Sequence, residues 1–124
     1  MAVVGIICEY NPFHNGHLRQ LAEIRARLGQ AVQIVCLMSG RFVQRGDAAL
    51  FAPGVRAAAA VDCGADLVLE LPVTHSLRSA EGFAAGSVDI LSRLGVVDFL
   101  CFGAEHADAA ALLQTARMLC SVEY

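Results

Sequence analysis

The sequence predicts an α/β protein, a three-layer doubly wound parallel sheet built as one domain over residues 1–124. A chain of 124 residues suits one compact domain and buries roughly two thirds of the surface that its unfolded form exposes. Four times along the chain, an apolar run rich in β-branched residues precedes a loop and an Ala- and Leu-rich stretch. Because the apolar runs are almost continuous, we expect helices to cover both faces of the sheet.

The four strands are predicted at the four apolar runs, over residues 3–8, 31–38, 65–71 and 96–102. Glu9 begins the polar segment that ends the first strand, and Ser39 begins the polar loop after the second. Pro72 closes the third strand, because a proline has no N–H to donate to a neighbouring strand. The fourth strand leads into a short loop that starts at Gly103.

A helix is predicted after each strand, over residues 16–28, 53–64, 79–94 and 107–120. In the first helix Leu18, Leu21 and Leu28 recur on one face. Asn15 is the expected N-cap of this helix, and Gly29 ends it. The second helix begins at a proline, which suits a first helical turn. Right-handed crossovers between four such units give the doubly wound arrangement.

Composition and charge exclude several classes of protein. The chain is 56% hydrophobic and 17% charged, so it is not intrinsically disordered. No stretch approaches the ~20 apolar residues that span a bilayer, and the opening run lacks the basic region of a secretory signal. A net charge of −3 argues against a nucleic-acid binder that relies on a general basic field. All nine basic residues are arginine, whereas a Walker-type phosphate loop and a Schiff-base enzyme each need a lysine.

The five cysteines stand singly in the sequence, at Cys8, Cys36, Cys63, Cys101 and Cys120. No C-x-x-C pair is present, so we expect no metal site held by the protein. An odd number of cysteines without an export signal indicates reduced thiols and a cytoplasmic protein. We expect the cysteines to act as small buried hydrophobic residues.

Polar residues cluster in the segments that follow the four strands. In doubly wound folds ligands bind beyond the carboxyl ends of the strands, so these segments form the expected functional face. They comprise residues 9–17 after the first strand; Ser39, Gly40, Arg41, Gln44 and Arg45 after the second; Thr74, His75, Ser76 and Arg78 after the third; and Gly103, Glu105 and His106 after the fourth. All four histidines fall in these segments, which we expect to be loops on one side of the sheet.

The motif His14-Asn15-Gly16-His17 lies between the first strand and the first helix. Gly16 has no side chain, so a phosphate can approach the backbone at the helix start, where N–H groups and the helix dipole favour an anion. The two imidazoles can donate to phosphate oxygens whose charge changes during displacement at phosphorus. Two other interpretations stay open: a capped turn with two surface histidines, and a metal-binding pair without an evident third ligand.

The motif and its position resemble the HxGH nucleotidylyltransferase superfamily, which also includes the class I aminoacyl-tRNA synthetases. Longer stretches are similar to the tRNA(Met) cytidine acetate ligase family: EYNPFHNGH at 9–17, MSG at 38–40, FVQRG at 42–46, GADLVLELP at 64–72, SAE at 79–81 and CFG at 101–103. The resemblance implies a Rossmann-like HxGH nucleotidylyltransferase fold. It also implies that residues 1–124 correspond to the N-terminal catalytic domain of the family, without the family's C-terminal part.

The same resemblance implies a ligase that activates acetate with ATP, giving acetyl-adenylate and pyrophosphate. The acetyl group then passes to N4 of the wobble cytidine of elongator tRNA(Met), so the implied partners are acetate or another small carboxylate and tRNA, with no membrane. The implied catalytic residues are His14 and His17, which would stabilise the triphosphate, and Mg²⁺ would offset its charge. The implied ATP contacts are Ile6, Ile7, Cys8, Glu9, Tyr10, Asn11, Pro12, Phe13, His14, Asn15, Gly16, His17, Leu18, Arg19 and Gly103.

Five further residues are candidates for contacting phosphate or substrate: Ser39, Arg41, Gln44, Arg45 and Glu105. Arginine forks match phosphate oxygens, although a plain solvated loop fits the two loop arginines equally well. Asp66 and Glu70 are candidates either for binding Mg²⁺ with the phosphates or for a structural contact with a helix N-terminus. We expect Arg19, Arg25 and Arg27 to form a solvated helix face.

Two alternative functions stay open at the level of the sequence. One is a nucleotidylyltransferase that acts on a different small molecule, and the other is a non-catalytic nucleotide-binding paralogue or fragment. The segment Ala52-Pro53-Gly54 stands where the family usually has Asp-Lys-Trp, which removes a mobile positive charge near the phosphate site. We therefore expect this chain to bind ATP but to make acetyl-adenylate slowly or not at all.

Overall fold

A four-stranded parallel sheet forms the centre of the structure, a computed structural model that describes residues 1–105 and 108–121. The strands are β1 (Val3–Cys8), β2 (Gln33–Ser39), β3 (Leu67–Leu71) and β4 (Phe99–Leu100). Their spatial order is β3-β2-β1-β4, and every neighbouring pair is parallel. The predicted α/β fold with a parallel sheet is confirmed.

In the described part of the chain, helices follow each of the four strands. They are α1 (Asn15–Leu28), α2 (Pro53–Asp62), α3 (Val73–Ser76), α4 (Ala80–Arg93) and α5 (Ala109–Leu119), with a 3₁₀ turn at Gln44–Gly46. The 3₁₀ turn and α3 lie in segments that were predicted as loops, because elements of three or four residues are too short to show a periodic pattern. Within the described residues, no helix is long and apolar enough to cross a membrane.

Apolar side chains on the two faces of the sheet pack against different helices. One cluster joins the sheet to α1 and α2, and it includes Val4, Ile6, Ile34, Cys36 and Met38 with Leu21, Ile24 and Ala60. The other joins the opposite face to α4, and it includes Leu37, Leu69 and Leu71 with Phe83, Ile90 and Leu91. Residues that alternate along β1 and β2 thus point to opposite faces, and both faces are covered. The predicted three-layer arrangement is confirmed.

The fourth strand–helix unit differs most from its prediction. A strand was predicted over residues 96–102, but only Phe99 and Leu100 pair with the sheet, opposite Val4 and Gly5. β4 lies at the edge and has one neighbour, so its pairing is not reinforced from the other side. The described α5 carries no buried residue. The predicted start of this helix at Ala107 lies outside the described residues.

Arg25 joins the amino ends of β2 and β3. The sequence predicted instead that its side chain forms part of a solvated helix face. Its guanidinium donates to the Val32 carbonyl at 2.9 Å, to the Gly64 carbonyl at 2.8 Å and to the Asp66 carboxylate at 3.0 Å. The same carboxylate oxygen accepts the Ile34 N–H at 2.7 Å. Asp66 therefore lies at the opposite end of the sheet from the predicted site. The interpretation of Asp66 as a Mg²⁺ ligand is wrong, and its role is structural.

Candidate functional site

A cleft of about 700 Å³ opens at the carboxyl ends of β1 and β4. The direction of the strand order changes between these two strands, because β2 and β3 lie on one side of β1 and β4 lies on the other. Doubly wound sheets bind their ligands at this switch point. The cleft is lined by Ile7, Cys8, Glu9, Tyr10, Asn11, Pro12, His14, Gly16, His17, Gln20, Gln44, Phe83, Phe102 and Gly103.

Helix α1 begins in this cleft with a capping box that two histidines make. His14 is the N-cap, with extended backbone, and its Nδ1 accepts the N–H of Gly16 at 3.0 Å. The Nδ1 of His17 in turn accepts the N–H of His14 at 3.2 Å. The prediction of Asn15 as the N-cap is therefore wrong, because Asn15 is already the first helical residue. The His14 imidazole takes the role that a Ser, Thr or Asp side chain more often has.

The capping bonds determine which ring nitrogens face a ligand. In a neutral imidazole one nitrogen accepts and the other donates, so an accepting Nδ1 leaves the proton on Nε2. The rings of His14 and His17 stack with their centroids 3.7 Å apart and an angle of 23° between their planes. Both histidines line the cleft, so the pair can offer it two neighbouring Nε2–H donors at the positive end of the α1 helix dipole. This arrangement suits a phosphate group.

Gly16 leaves the room that the capping ring needs. A Cβ added at this position would lie 2.9 Å from Cε1 and 3.0 Å from Nδ1 of His14. A larger residue would therefore push the His14 ring out of its capping position. Across the cleft, Gly103 follows β4, and a Cβ there would meet nothing within 4 Å.

Two aromatic residues, one buried and one half-buried, hold the His17 ring in place. Tyr10, which is 1% exposed, lies behind it with ring centroids 4.7 Å apart, and Phe13 packs at 5.5 Å. The Tyr10 hydroxyl lies 3.4 Å from the Cys36 Sγ. Burial lowers the pKa of His17, and the neighbouring His14 charge lowers that pKa further. His17 is therefore neutral at pH 7 and keeps the Nε2 donor.

None of the five cysteines, all of which lie in the described residues, forms a disulfide. Cys36 is buried, Cys8, Cys63 and Cys101 are half-buried, and Cys120 is exposed, so the expectation of burial is wrong for Cys120. A hydrogen bond with Cys36 and burial raise the pKa of the Cys8 thiol. Cys8 lines the cleft as an uncharged thiol, which is a poor nucleophile.

A second cleft of about 530 Å³ lies beyond the carboxyl ends of β2 and β3. Arg41, Glu70 and Pro53 are among the residues that line it. The Glu70 side chain packs so closely on Gly40 that a Cβ there would collide with the Glu70 carboxylate. Glu70 therefore faces this second cleft rather than the one that holds the histidines.

The predicted ATP contacts fall partly in the first cleft. Those that line it are Ile7, Cys8, Glu9, Tyr10, Asn11, Pro12, His14, Gly16, His17 and Gly103. Ile6 is buried in the core and Phe13 packs behind the histidines, whereas Asn15, Leu18 and Arg19 are exposed. Their contacts with ATP stay a prediction.

The remaining candidates are dispersed. Gln44 lines the first cleft and Arg41 the second, Arg45 and Glu105 are exposed, and the Ser39 side chain is fully buried. His75 lies in α3 and packs against Gly86 of α4, so the expectation that all four histidines lie in loops is wrong. His106 lies outside the described residues. Among the described residues, no three His, Cys, Asp or Glu side chains come together as metal ligands.

Three residues of the first cleft were not predicted: Gln20, Phe83 and Phe102. Gln20 follows His17 by three residues on α1, so helical spacing could have identified it. Phe102 is adjacent to Gly103, which was predicted. Phe83 comes from α4, and its approach to the cleft depends on how that helix packs, which leaves no local signal in the sequence.

Comparisons with known proteins identify the relatives of this chain. The chain is 49% identical to the tRNA(Met) cytidine acetate ligase of Acetivibrio thermocellus and 50% identical to that of Alkaliphilus metalliredigens. Each match covers 119 residues, which are 96% of this chain and 28% of the relative. The fold is similar to the crystal structure of Thermotoga maritima TmcAL bound with alpha-thio ATP, with a TM-score of 0.89. That match has 44% identity and covers 96% of this chain and 29% of the other.

This chain thus spans less than a third of the length of these relatives. The identities confirm the resemblance to tRNA(Met) cytidine acetate ligases, and the structural match confirms the Rossmann-like HxGH nucleotidylyltransferase fold. The model of the HIGH Nucleotidyl Transferase family matches residues 1–124, and the chain therefore belongs to that family.

Proposed function

We propose that this chain is an ATP-binding adenylyl-transfer domain. The observation that carries the proposal is the pair of stacked histidines at the start of α1, whose Nδ1 atoms cap the helix. Both histidines and Gly16, at the N-terminus of α1, line a cleft at the switch point of the sheet, and each imidazole keeps its Nε2–H group for a ligand. Preorganised donors of this kind stabilise a triphosphate and the charge that develops when it is cleaved.

The proposed reaction is adenylyl transfer from ATP to a carboxylate. A carboxylate oxygen forms a bond to the α-phosphorus, the bond from that phosphorus to the bridging oxygen breaks, and pyrophosphate leaves with the electron pair. His14 and His17 donate hydrogen bonds to the oxygens that gain charge in this step. Each such donor contributes on the order of 2.7–4 kcal/mol to the transition state in comparable sites.

The resemblance to tRNA(Met) cytidine acetate ligases supports acetate as the carboxylate and the wobble cytidine of tRNA(Met) as the final acceptor. These substrates are those of proteins more than three times as long as this chain, and for this chain they are part of the proposal. Mg²⁺ would enter with ATP and offset the triphosphate charge. Mg²⁺ keeps several waters and is commonly held by substrate phosphates together with one or two carboxylates. Among the described residues that line the cleft, Glu9 is the one that carries a carboxylate.

The experiment tests the two ring nitrogens of each histidine separately: Nδ1 as the capping acceptor and Nε2 as the donor to the nucleotide. An asparagine places its amide oxygen where Nδ1 lies, so His14→Asn and His17→Asn keep the capping acceptor and lose the Nε2 donor. A glutamine places its amide nitrogen near Nε2, so His14→Gln and His17→Gln keep a donor and lose the capping acceptor. Calorimetric titration with α,β-methylene ATP and Mg²⁺ measures the nucleotide affinity of each variant, and thermal unfolding measures its stability.

We expect the Asn variants to keep the wild-type melting temperature and to lose roughly tenfold to a hundredfold in nucleotide affinity, the cost of a hydrogen bond to a charged group. We expect the Gln variants to lose stability, about 1 kcal/mol for a removed N-cap, and to keep more of the affinity. Wild-type affinity in both Asn variants would place the nucleotide elsewhere and refute the proposal.

A further inference from the structure

Three segments of the chain converge on one buried arginine, Arg56 of α2, which is 2% exposed. Its Nη1 donates to the Glu9 carbonyl, its Nη2 to the Gly40 carbonyl and its Nε to the Phe51 carbonyl at 3.1 Å. Glu9 follows β1, Gly40 follows β2, and Phe51 lies two residues before the first residue of α2. One guanidinium therefore holds the carboxyl ends of the two central strands and the loop between β2 and α2.

These contacts lie directly behind the nucleotide cleft. Glu9 lines the cleft, and its carboxylate accepts the Gln44 N–H at 2.7 Å. Two residues later, Asn11 Oδ1 accepts the Leu50 N–H at 2.7 Å. Segment 9–11, which leads into the HxGH motif, is thus docked on segment 40–51 by its own side chains. Arg56 binds the backbone of both segments.

Arg56 itself lines neither of the two clefts described above. Within the described residues it forms no ion pair with a carboxylate, so backbone carbonyls solvate its charge. Burial lowers the pKa of Arg56, yet a guanidinium stays protonated at neutral pH. Its five N–H donors form a rigid fork that reaches carbonyls in several directions, which the compact ammonium of a lysine cannot do.

We infer that Arg56 is a positioning residue for the nucleotide: it holds segment 9–11 in the conformation that presents His14 and His17 to the triphosphate, without touching the ligand. This inference rests on the proposed function, because it concerns the same cleft. A positioning role predicts that a change at Arg56 weakens nucleotide binding while the sheet and helices stay folded.

The test compares Arg56→Lys and Arg56→Met with Arg93→Lys and Arg93→Met. Arg93 is a matched control, because it lies near the end of α4 with its side chain 78% exposed and paired with Asp89. Three properties are measured: affinity for α,β-methylene ATP, the melting temperature, and amide hydrogen exchange by NMR. The Gln44 and Leu50 amides report on the docking of segment 9–11, and the Cys36 amide in β2 reports on the core.

We expect Arg56→Lys to fold and to bind the nucleotide at least about tenfold more weakly, with Arg56→Met weaker still and both Arg93 variants unchanged. Exchange should accelerate at Gln44 and Leu50 and stay slow at Cys36. Wild-type affinity in Arg56→Lys would overturn the inference. Equal acceleration at all three amides, or failure of both Arg56 variants to fold, would also overturn it, in favour of a purely structural role. If the wild-type chain bound no nucleotide, the proposed function would fail and the inference with it.

Discussion

His14 and His17 each use one ring nitrogen for the fold and keep the other for a ligand. The Nδ1 atoms satisfy the N–H groups of Gly16 and His14, and this fixes the tautomer that exposes Nε2–H. The residue types of the motif were predictable, and so was their position before a helix. Their capping role was not, because imidazole is a rare N-cap and Asn15 is a common one.

The depressed pKa of His17 makes the stability of the fold depend on pH. Its folded-state pKa lies below the unfolded value of 6.5, chiefly because the ring is partly buried. As the pH falls below about 6.5, the unfolded chain takes up this proton more readily than the folded chain, so the free energy of unfolding decreases. A protonated Nδ1 also cannot accept the His14 N–H.

Urea unfolding between pH 7.5 and about 5.5 measures this effect above the range in which carboxylates titrate. The wild-type chain should lose stability toward the acid end, and His17→Asn should lose less, because asparagine does not titrate. Identical pH profiles would contradict the account.

At the scale of the element, the start of α1 depends on Gly16. A Cβ there would displace the His14 ring, so Gly16→Ala should lower nucleotide affinity about tenfold, the loss of one hydrogen bond to a charged group. The melting temperature should change little, because alanine gains up to about 1 kcal/mol in helix propensity and a strained cap costs about the same. Calorimetric titration and thermal unfolding measure the two effects.

Gly54→Ala is the matched control for this substitution. Gly54 is the second residue of α2, as Gly16 is of α1, and a Cβ at Gly54 would meet nothing within 4 Å. This variant should therefore keep the wild-type affinity. If Gly16→Ala and Gly54→Ala bound the nucleotide equally well, the close approach of Gly16 to His14 would have no functional meaning.

The elements that the sequence predicted well are those whose signal is local. β1 was predicted with its observed limits, and α1 and α4 to within one residue, because apolar periodicity marks a buried face. A fourth strand was predicted, but its short length was not, since the length of an edge strand depends on its single neighbour. Arg25 and Arg56 were not recognised as buried or bridging residues. Most of their partners are backbone carbonyls, which carry no sequence signal.

At the scale of the whole molecule, the chain holds the proposed nucleotide cleft but covers less than a third of the length of its relatives. The sequence resemblance also implies that Pro53 stands in place of a lysine of the family. We therefore expect it to bind ATP, to form acetyl-adenylate slowly or not at all, and not to acetylate tRNA by itself. Acetate-dependent release of pyrophosphate measures this directly, with His17→Ala as the control.

Rapid release of pyrophosphate that His17→Ala abolishes would show that 124 residues suffice for catalysis and contradict this expectation. Replacing acetate with other carboxylates or phosphorylated small molecules tests the substrate in the same assay. Release that depends on one of these instead of acetate would favour a different small-molecule nucleotidylyltransferase.

The most direct test of the account is a crystal structure of the chain with α,β-methylene ATP and Mg²⁺, an analogue whose α–β linkage adenylyl transfer cannot cleave. We expect phosphate oxygens about 2.7–3.2 Å from Nε2 of His14 and of His17, over the start of α1 and between the ends of β1 and β4. A triphosphate in the second cleft beside Arg41 and Glu70, with the histidine cleft holding no part of the nucleotide, would contradict it.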